Sequence, residues 1–203
     1  RISCYRNKRD KDSLSYLYKL SEDIWFLLID CNGYEWNSVF GLNSEGKIKQ
    51  PTLEWAKSCF ELANKKGAKI ITATHHSLLN NEYLHSEDYR IRFNATSFME
   101  LMAKYGTKVN LSGHIHTQSI ISNEVSNTTL YEITTESLVV AGNNYGEITI
   151  KDNEFVYQAK SLDVDTWAKK NHIEDKKITV IPNLFRNLHR IKGNFRNKFR
   201  MSL

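Results

Sequence analysis

Gly113-His114-Ile115-His116 places two imidazoles on one short segment, directly after an apolar run at 108–112 that reads as a buried strand. Neutral imidazole is the commonest side-chain ligand for mid-row divalent metals. A Gly-His-x-His loop at a strand end therefore suits metal binding, with Gly113 expected to permit the tight turn between strand and ligands. A simpler version comes earlier, where the β-branched run at 68–74 ends in His75-His76. Ligands of open α/β sheets gather outside the carboxyl ends of the strands, so both loops can face one crevice. His85, His172 and His189 have no second ligand-type residue beside them at useful spacing and read as ordinary surface or core histidines.

The elements that must position these loops alternate between strand and helix. Residues 24–30 (IWFLLID) read as a buried strand ended by Asp30-Cys31-Asn32-Gly33, with Asn32 suited to an Asx turn. A helix is expected over 51–66: Pro51 suits its first turn, and Leu53, Ala56, Phe60 and Ala63 recur at helical spacing. Lys65 and Lys66 complement its dipole, and Gly67 suits its cap. The strand at 68–74 then delivers His75. A polar segment at 80–93, with Glu82, Glu87 and Asp88, reads as a solvated loop. Asn94 can cap a second helix whose Phe98, Met99, Met102 and Tyr105, with Phe93 before it, read as core, and Gly106 stops that helix. The strand at 108–112 delivers Gly113-His114. Beyond Thr117 the rhythm changes to strands at 118–122, 129–135, 145–150 and 154–160, with Asp152-Asn153 as a hairpin turn. The expected fold is α/β with α+β character, mixed sheets flanked by helices.

Thr74-His75-His76-Ser77-Leu78-Leu79 and Ser112-Gly113-His114-Ile115-His116-Thr117-Gln118, each after a strand, resemble the last two metal-binding blocks of the calcineurin-like metallophosphoesterases. Ser13-Leu14-Ser15-Tyr16, the strand ending in Asp30-Cys31-Asn32, and Tyr145-Gly146-Glu147 resemble bacterial members, so the likeness spans roughly residues 10–170. It implies part of a four-layer α/β/β/α sandwich and a metal-dependent phosphatase-type hydrolase acting on a phosphoester. Two divalent ions (Mn, Fe or Zn) would bind in the complete enzyme, where a metal-bound hydroxide attacks phosphorus in line. By the same resemblance His75, with His76 as its alternative, and His114 would bind one metal, and His116 would reach the other. No Ser or Cys nucleophile is required, and no catalytic group of that kind is identified in this portion.

Three blocks of that family, Asp-x-His, Gly-Asp and Gly-Asn-His, do not occur in the sequence. Gly142-Asn143-Asn144 and Gly193-Asn194-Phe195 come nearest to the third and lack its histidine. Two divalent cations about 3.5–4 Å apart repel strongly. Carboxylates must neutralise them, and imidazoles bring no charge. The chain is therefore expected to be the C-terminal portion of a longer protein, partnered by the missing N-terminal half of the same domain; an Arg1 start agrees with that. Two rivals keep other functions open: a degenerate binding module of the same fold, and a mononuclear zinc protein using His75, His114 and His116 with an open water position.

Charge divides along the chain. The net +5 hides a segment, 176–203, with eight Lys/Arg and no acid, which leaves 20 basic against 23 acidic residues in 1–175. The domain is accordingly placed at 1–175, followed by a basic tail expected to be flexible. A high pI carried by the tail gives no support to specific nucleic-acid binding. Tail apolar residues at near-helical spacing (Leu184, Leu188, Ile191, Phe195, Phe199) could face an anionic membrane, but Gly193 interrupts them and a solvated end is the favoured reading. The three cysteines are unpatterned and read as unbridged thiols. No apolar run approaches a membrane span, so a soluble protein is expected, with export left open.

Overall fold

The computed structural model describes residues 8–33, 45–80, 89–138, 143–171 and 198–203. His85, His172, His189, Glu82, Glu87, Asp88, Cys4, the Gly193 motif and positions 176–197 of the tail lie outside them.

Apolar β-branched runs become strands of one large sheet: β1 (Lys8–Arg9), β2 (Tyr16–Lys19), β3 (Ile24–Ile29), β5 (Lys69–Thr74), β7 (Val109–Ser112), β8 (Ser119–Val125) and β9 (Thr128–Thr134). A short β4 (Gly46–Lys47) pairs separately with β6 (Ile91–Phe93). The large sheet runs β1-β2-β3-β5-β7-β9-β8. Its centre, β3-β5-β7-β9, is parallel, and antiparallel pairs close both sides. The expected change from crossover units to a meander thus comes one strand late: β9 still joins β7 in parallel, and only β8 folds back on it. Ser126 and Asn127 turn that hairpin with φ of 48° and 62°, the left-handed pair that matches strand twist.

The crossovers are α1 (Gln50–Lys66) and α2 (Ala95–Lys104). Leu53, Ala56, Phe60 and Ala63 of α1 and Phe98 and Met102 of α2 pack on Leu17, Trp25, Leu27 and Ile29 of the sheet. Gly67, at φ 69°, ends α1 as its position suggests. Asn94 departs from expectation: it occupies the cap position of α2, but its side chain caps nothing. Its own φ of 61° turns the amide away, and Nδ2 donates to the Ile48 carbonyl at 2.9 Å. Phe93 also departs, being 48% exposed on the short β4-β6 pair.

The opposite face of the sheet carries a second core. Ile24, Ile71, Val109 and Ile133 meet Phe155, Tyr157 and Phe199 of a three-stranded sheet made of β10 (Asn144–Lys151), β11 (Glu154–Ser161) and β12 (Lys198–Ser202). Asp152 and Asn153 turn the β10-β11 hairpin with φ of 51° and 65°. Among the described residues, helices, large sheet and small sheet form three stacked layers. The remaining helix, α3 (Val164–Lys170), buries none of its residues.

β12 corrects part of the tail reading. Residues 198–202 are paired along β11, and Phe199 is buried, its ring 4.8 Å from that of Tyr131. Lys-Phe-Arg-Met-Ser alternates in and out as a strand requires, where a solvated end is the reading the sequence favours. Among the described residues, the small sheet leaves part of the large one uncovered. Tyr16, Tyr18, Phe26 and Leu28 line an open groove there with Arg9 at its edge, about 590 Å³ in volume.

Candidate metal centre

Parallel register brings the histidine loops together. β3 and β5 pair with Ile29 opposite Thr74, so two residues later Cys31 stands opposite His76. β5 and β7 pair with Ala73 opposite Leu111, which sets Gly113 beside His75; the Gly113 N–H donates to the His75 carbonyl at 3.0 Å. Buried polar side chains hold the strand ends in place. Thr72 Oγ1 donates to Asn110 Oδ1, Asn110 Nδ2 donates to Thr74 Oγ1, and Thr74 Oγ1 donates to the His76 carbonyl, all at 2.7–2.9 Å.

Three of the four loop histidines touch. His75 Nε2 and His114 Nδ1 are 3.1 Å apart, and the His76 ring lies 4.3 Å from that of His114 and 5.2 Å from that of His75. His75 is exposed, whereas His76 is buried, with Nδ1 3.3 Å from Cys31 Sγ. His116 is exposed on the same loop, close enough that its charge would oppose protonation of both His75 and His114. Tyr89, half-exposed, sets its ring 5.5 Å from that of His114.

Gly113 does not supply the turn. A Cβ there would meet His75 Nδ1 at an ordinary 3.7 Å, and the left-handed residues are His114 and His116 themselves, at φ 66° and 52°. The unusual backbone belongs to the chemistry-bearing residues, not to the glycine between strand and loop. The Asx turn at this strand end is made by Asp30, whose Oδ1 accepts both the N–H and the Nδ2 of Asn32.

Burial lowers the basicity of the cluster. Desolvation, then the neighbouring His76, His75 and His116, push His114 down to about 4; burial and His116 lower His75. Both imidazoles are neutral near pH 7, the state a ligand requires. The shift also predicts a pH dependence. His114 has an ordinary pKa of 6.5 when unfolded, so the folded state resists a proton that the unfolded chain accepts. Its contribution is present above pH 6.5 and is lost as pH falls toward 4. Urea titrations of metal-free protein should show the midpoint falling across that window, and His114→Asn should flatten the fall.

Two groups in the site escaped the sequence reading. Glu132, fully buried on β9, accepts the N–H groups of Leu78 at 3.0 Å and Leu79 at 2.7 Å, fastening the chain just past His75-His76. Burial raises its pKa, although bonds from Ser112, Leu79, Leu78 and Ser77 oppose the rise. Cys31 is fully buried, and desolvation pushes its thiol up as well. Its signal was available: it follows the strand adjacent to the one that ends in His75-His76.

His75 and His114 fit two ligands of one cation. Two nitrogens about 2.0–2.1 Å from one zinc ion at a tetrahedral angle lie roughly 3.3 Å apart, close to the His75–His114 spacing. Among the described residues, however, no group of three or more His, Cys, Asp or Glu side chains is arranged to hold a metal ion. Asp30, the nearest acid in sequence to Cys31, is committed to Leu14 and Asn32.

No family model matches the sequence, and no curated protein does. Among solved structures, a dimetal phosphatase from Danio rerio superposes with a TM-score of 0.58 at 13% identity, covering 74% of this chain and 58% of that one. Plasmodium GAP50, the anchor in the inner membrane complex, gives a TM-score of 0.41 at 17% identity over 71% and 48% of the two chains. A candidate 5′-nucleotidase from Staphylococcus aureus gives 0.42 at 12% identity over 85% and 36%. The chain thus spans less than two thirds of the length of the Danio rerio phosphatase. Its large mixed sheet flanked by helices is the fold of that phosphatase, a phosphoesterase-like fold.

Proposed function

We propose that the protein is a metal-dependent phosphoester hydrolase of the calcineurin-like type, and that this chain is the C-terminal, imidazole-bearing portion of it. The observation that carries the reading is the convergence of His75 and His114, 3.1 Å apart, at the carboxyl ends of adjacent parallel strands. These two would share one divalent ion (Mn, Fe or Zn), and His116 would reach a second. His76, weighed as the alternative to His75, is buried against Cys31, which favours the exposed His75 as ligand. When bound, such ions supply Lewis acidity at the phosphoryl oxygen. The chain's own imidazoles supply neutral donors on a fixed edge.

The neutralising carboxylates come, in this reading, from polypeptide outside this chain. The groove formed by Tyr16, Tyr18, Phe26 and Leu28 gives that portion an apolar face to pack on, beside the small sheet. A mononuclear zinc site is less well supported, because the described residues do not group three ligands around one point.

The test is phosphate release from generic aryl phosphomonoesters and phosphodiesters with added Mn or Zn. The 203-residue chain alone is expected to show no substantial metal-stimulated release. A longer native polypeptide carrying upstream Asp-x-His, Gly-Asp and Gly-Asn-His should show it. Turnover by the short chain at an intact enzyme's rate would refute the charge argument; an inactive longer polypeptide would refute the reading.

A further inference from the structure

We infer that Cys31 is a positioning residue: its thiol donates to His76 Nδ1, which fixes the proton of that imidazole on Nε2 and holds the ring as a backing for His114.

Four observations carry this. The register that sets Ile29 opposite Thr74 puts Cys31 and His76 side by side, and Sγ lies 3.3 Å from Nδ1, within the range of a sulfur hydrogen bond. The same sulfur accepts the His76 backbone N–H at 3.5 Å, and its own buried S–H needs an acceptor, which Nδ1 is placed to be. The thiol is also fully buried, and burial favours its neutral, proton-bearing form.

The last observation is the packing of the ring. A Cβ on Gly46 would stand 2.8 Å from both Cβ and Cγ of His76, so no larger residue fits behind the imidazole. Its other side lies 4.3 Å from the His114 ring, tilted by 44°. His76 is thus wedged between Gly46 and His114 with one nitrogen tied to Cys31. An imidazole whose Nδ1 accepts from a thiol carries hydrogen on Nε2 and has no lone pair left for a cation. Cys31 thereby sorts the adjacent pair: His76 becomes a prop, and His75 keeps its lone pair for a ligand. Only this last consequence rests on the proposed metal chemistry; the tautomer does not.

The test is the ring nitrogen spectrum of His76 in the intact ¹⁵N-labelled protein. The native protein and Cys31→Ser, which retains a donor, are expected to show the Nε2–H tautomer in about tenfold excess or more. Cys31→Ala, which has none, should give a mixture. An Nδ1–H tautomer in the native protein would overturn the inference, and that measurement requires no variant. A native-like pattern in Cys31→Ala would overturn it equally. In a second arm, added Zn should move the His75 and His114 resonances and leave His76 Nδ1 in place. Displacement of the His76 signal by Zn would overturn its role as a prop. Absence of any Zn effect would count against the phosphoesterase reading, and the tautomer result would still decide the role of Cys31.

Discussion

Deleting residues 198–203 is expected to destabilise the protein by about 3–5 kcal/mol, the range for removing a buried Phe. Phe199 is 7% exposed and projects from the small sheet onto Tyr131, in one cluster with Phe155 and Tyr157, both almost fully buried. The deletion also uncovers one edge of β11 and removes the Lys69 Nζ bond to the Leu203 carbonyl. Thermal unfolding of the truncated and intact chains checks this, with Phe199→Ala as the single-site control. An unchanged melting temperature would mean that the last strand contributes nothing to the second core. The histidine loops lie at strand ends, so their local geometry should survive in whatever fraction remains folded.

Glu132→Ala is expected to cost about 3–4 kcal/mol, through two buried N–H groups left without an acceptor at about 1–3 kcal/mol each. Those groups belong to Leu78 and Leu79, so the damage falls on the loop that carries His75 and His76. Glu132→Gln makes the contrast, since its oxygen still accepts both N–H groups while its NH₂ faces the serine hydroxyls. It should cost less than about 1 kcal/mol. The sign with pH follows from burial. The folded pKa of Glu132 is raised, so its contribution is full below the ordinary 4.5 and declines as pH rises. Urea midpoints of the native and Gln proteins should therefore diverge in favour of Gln between pH 4.5 and 7. Equal loss in Ala and Gln would show that the charge itself is needed.

These two residues mark where the sequence stops being legible. The parallel strands and both His loops could be read, because buried strands are continuous apolar runs and ligands collect at their carboxyl ends. Glu132 could not: within Thr-Thr-Leu-Tyr-Glu-Ile-Thr a carboxylate looks like a solvent-facing position, and the amides it serves lie more than fifty residues away in sequence. Phe199 is hidden for a different reason. Five residues of alternating character amid a basic segment fit both periods, and only pairing with β11 decides between them. The Cys31–His76 contact needs the register of β3 against β5, which no local pattern supplies.

The left-handed backbone at His114 and His116 narrows what evolution or mutagenesis can put there. β-Branched residues are genuine outliers in that conformation, while Asn and Asp enter it far more readily. An alanine scan would therefore mix two effects at these positions, loss of the ring and backbone cost. Asparagine removes the imidazole while leaving the turn nearly undisturbed. Among natural variants of this loop that lose an imidazole, asparagine or aspartate should be the commonest substitutes, and valine or isoleucine the rarest.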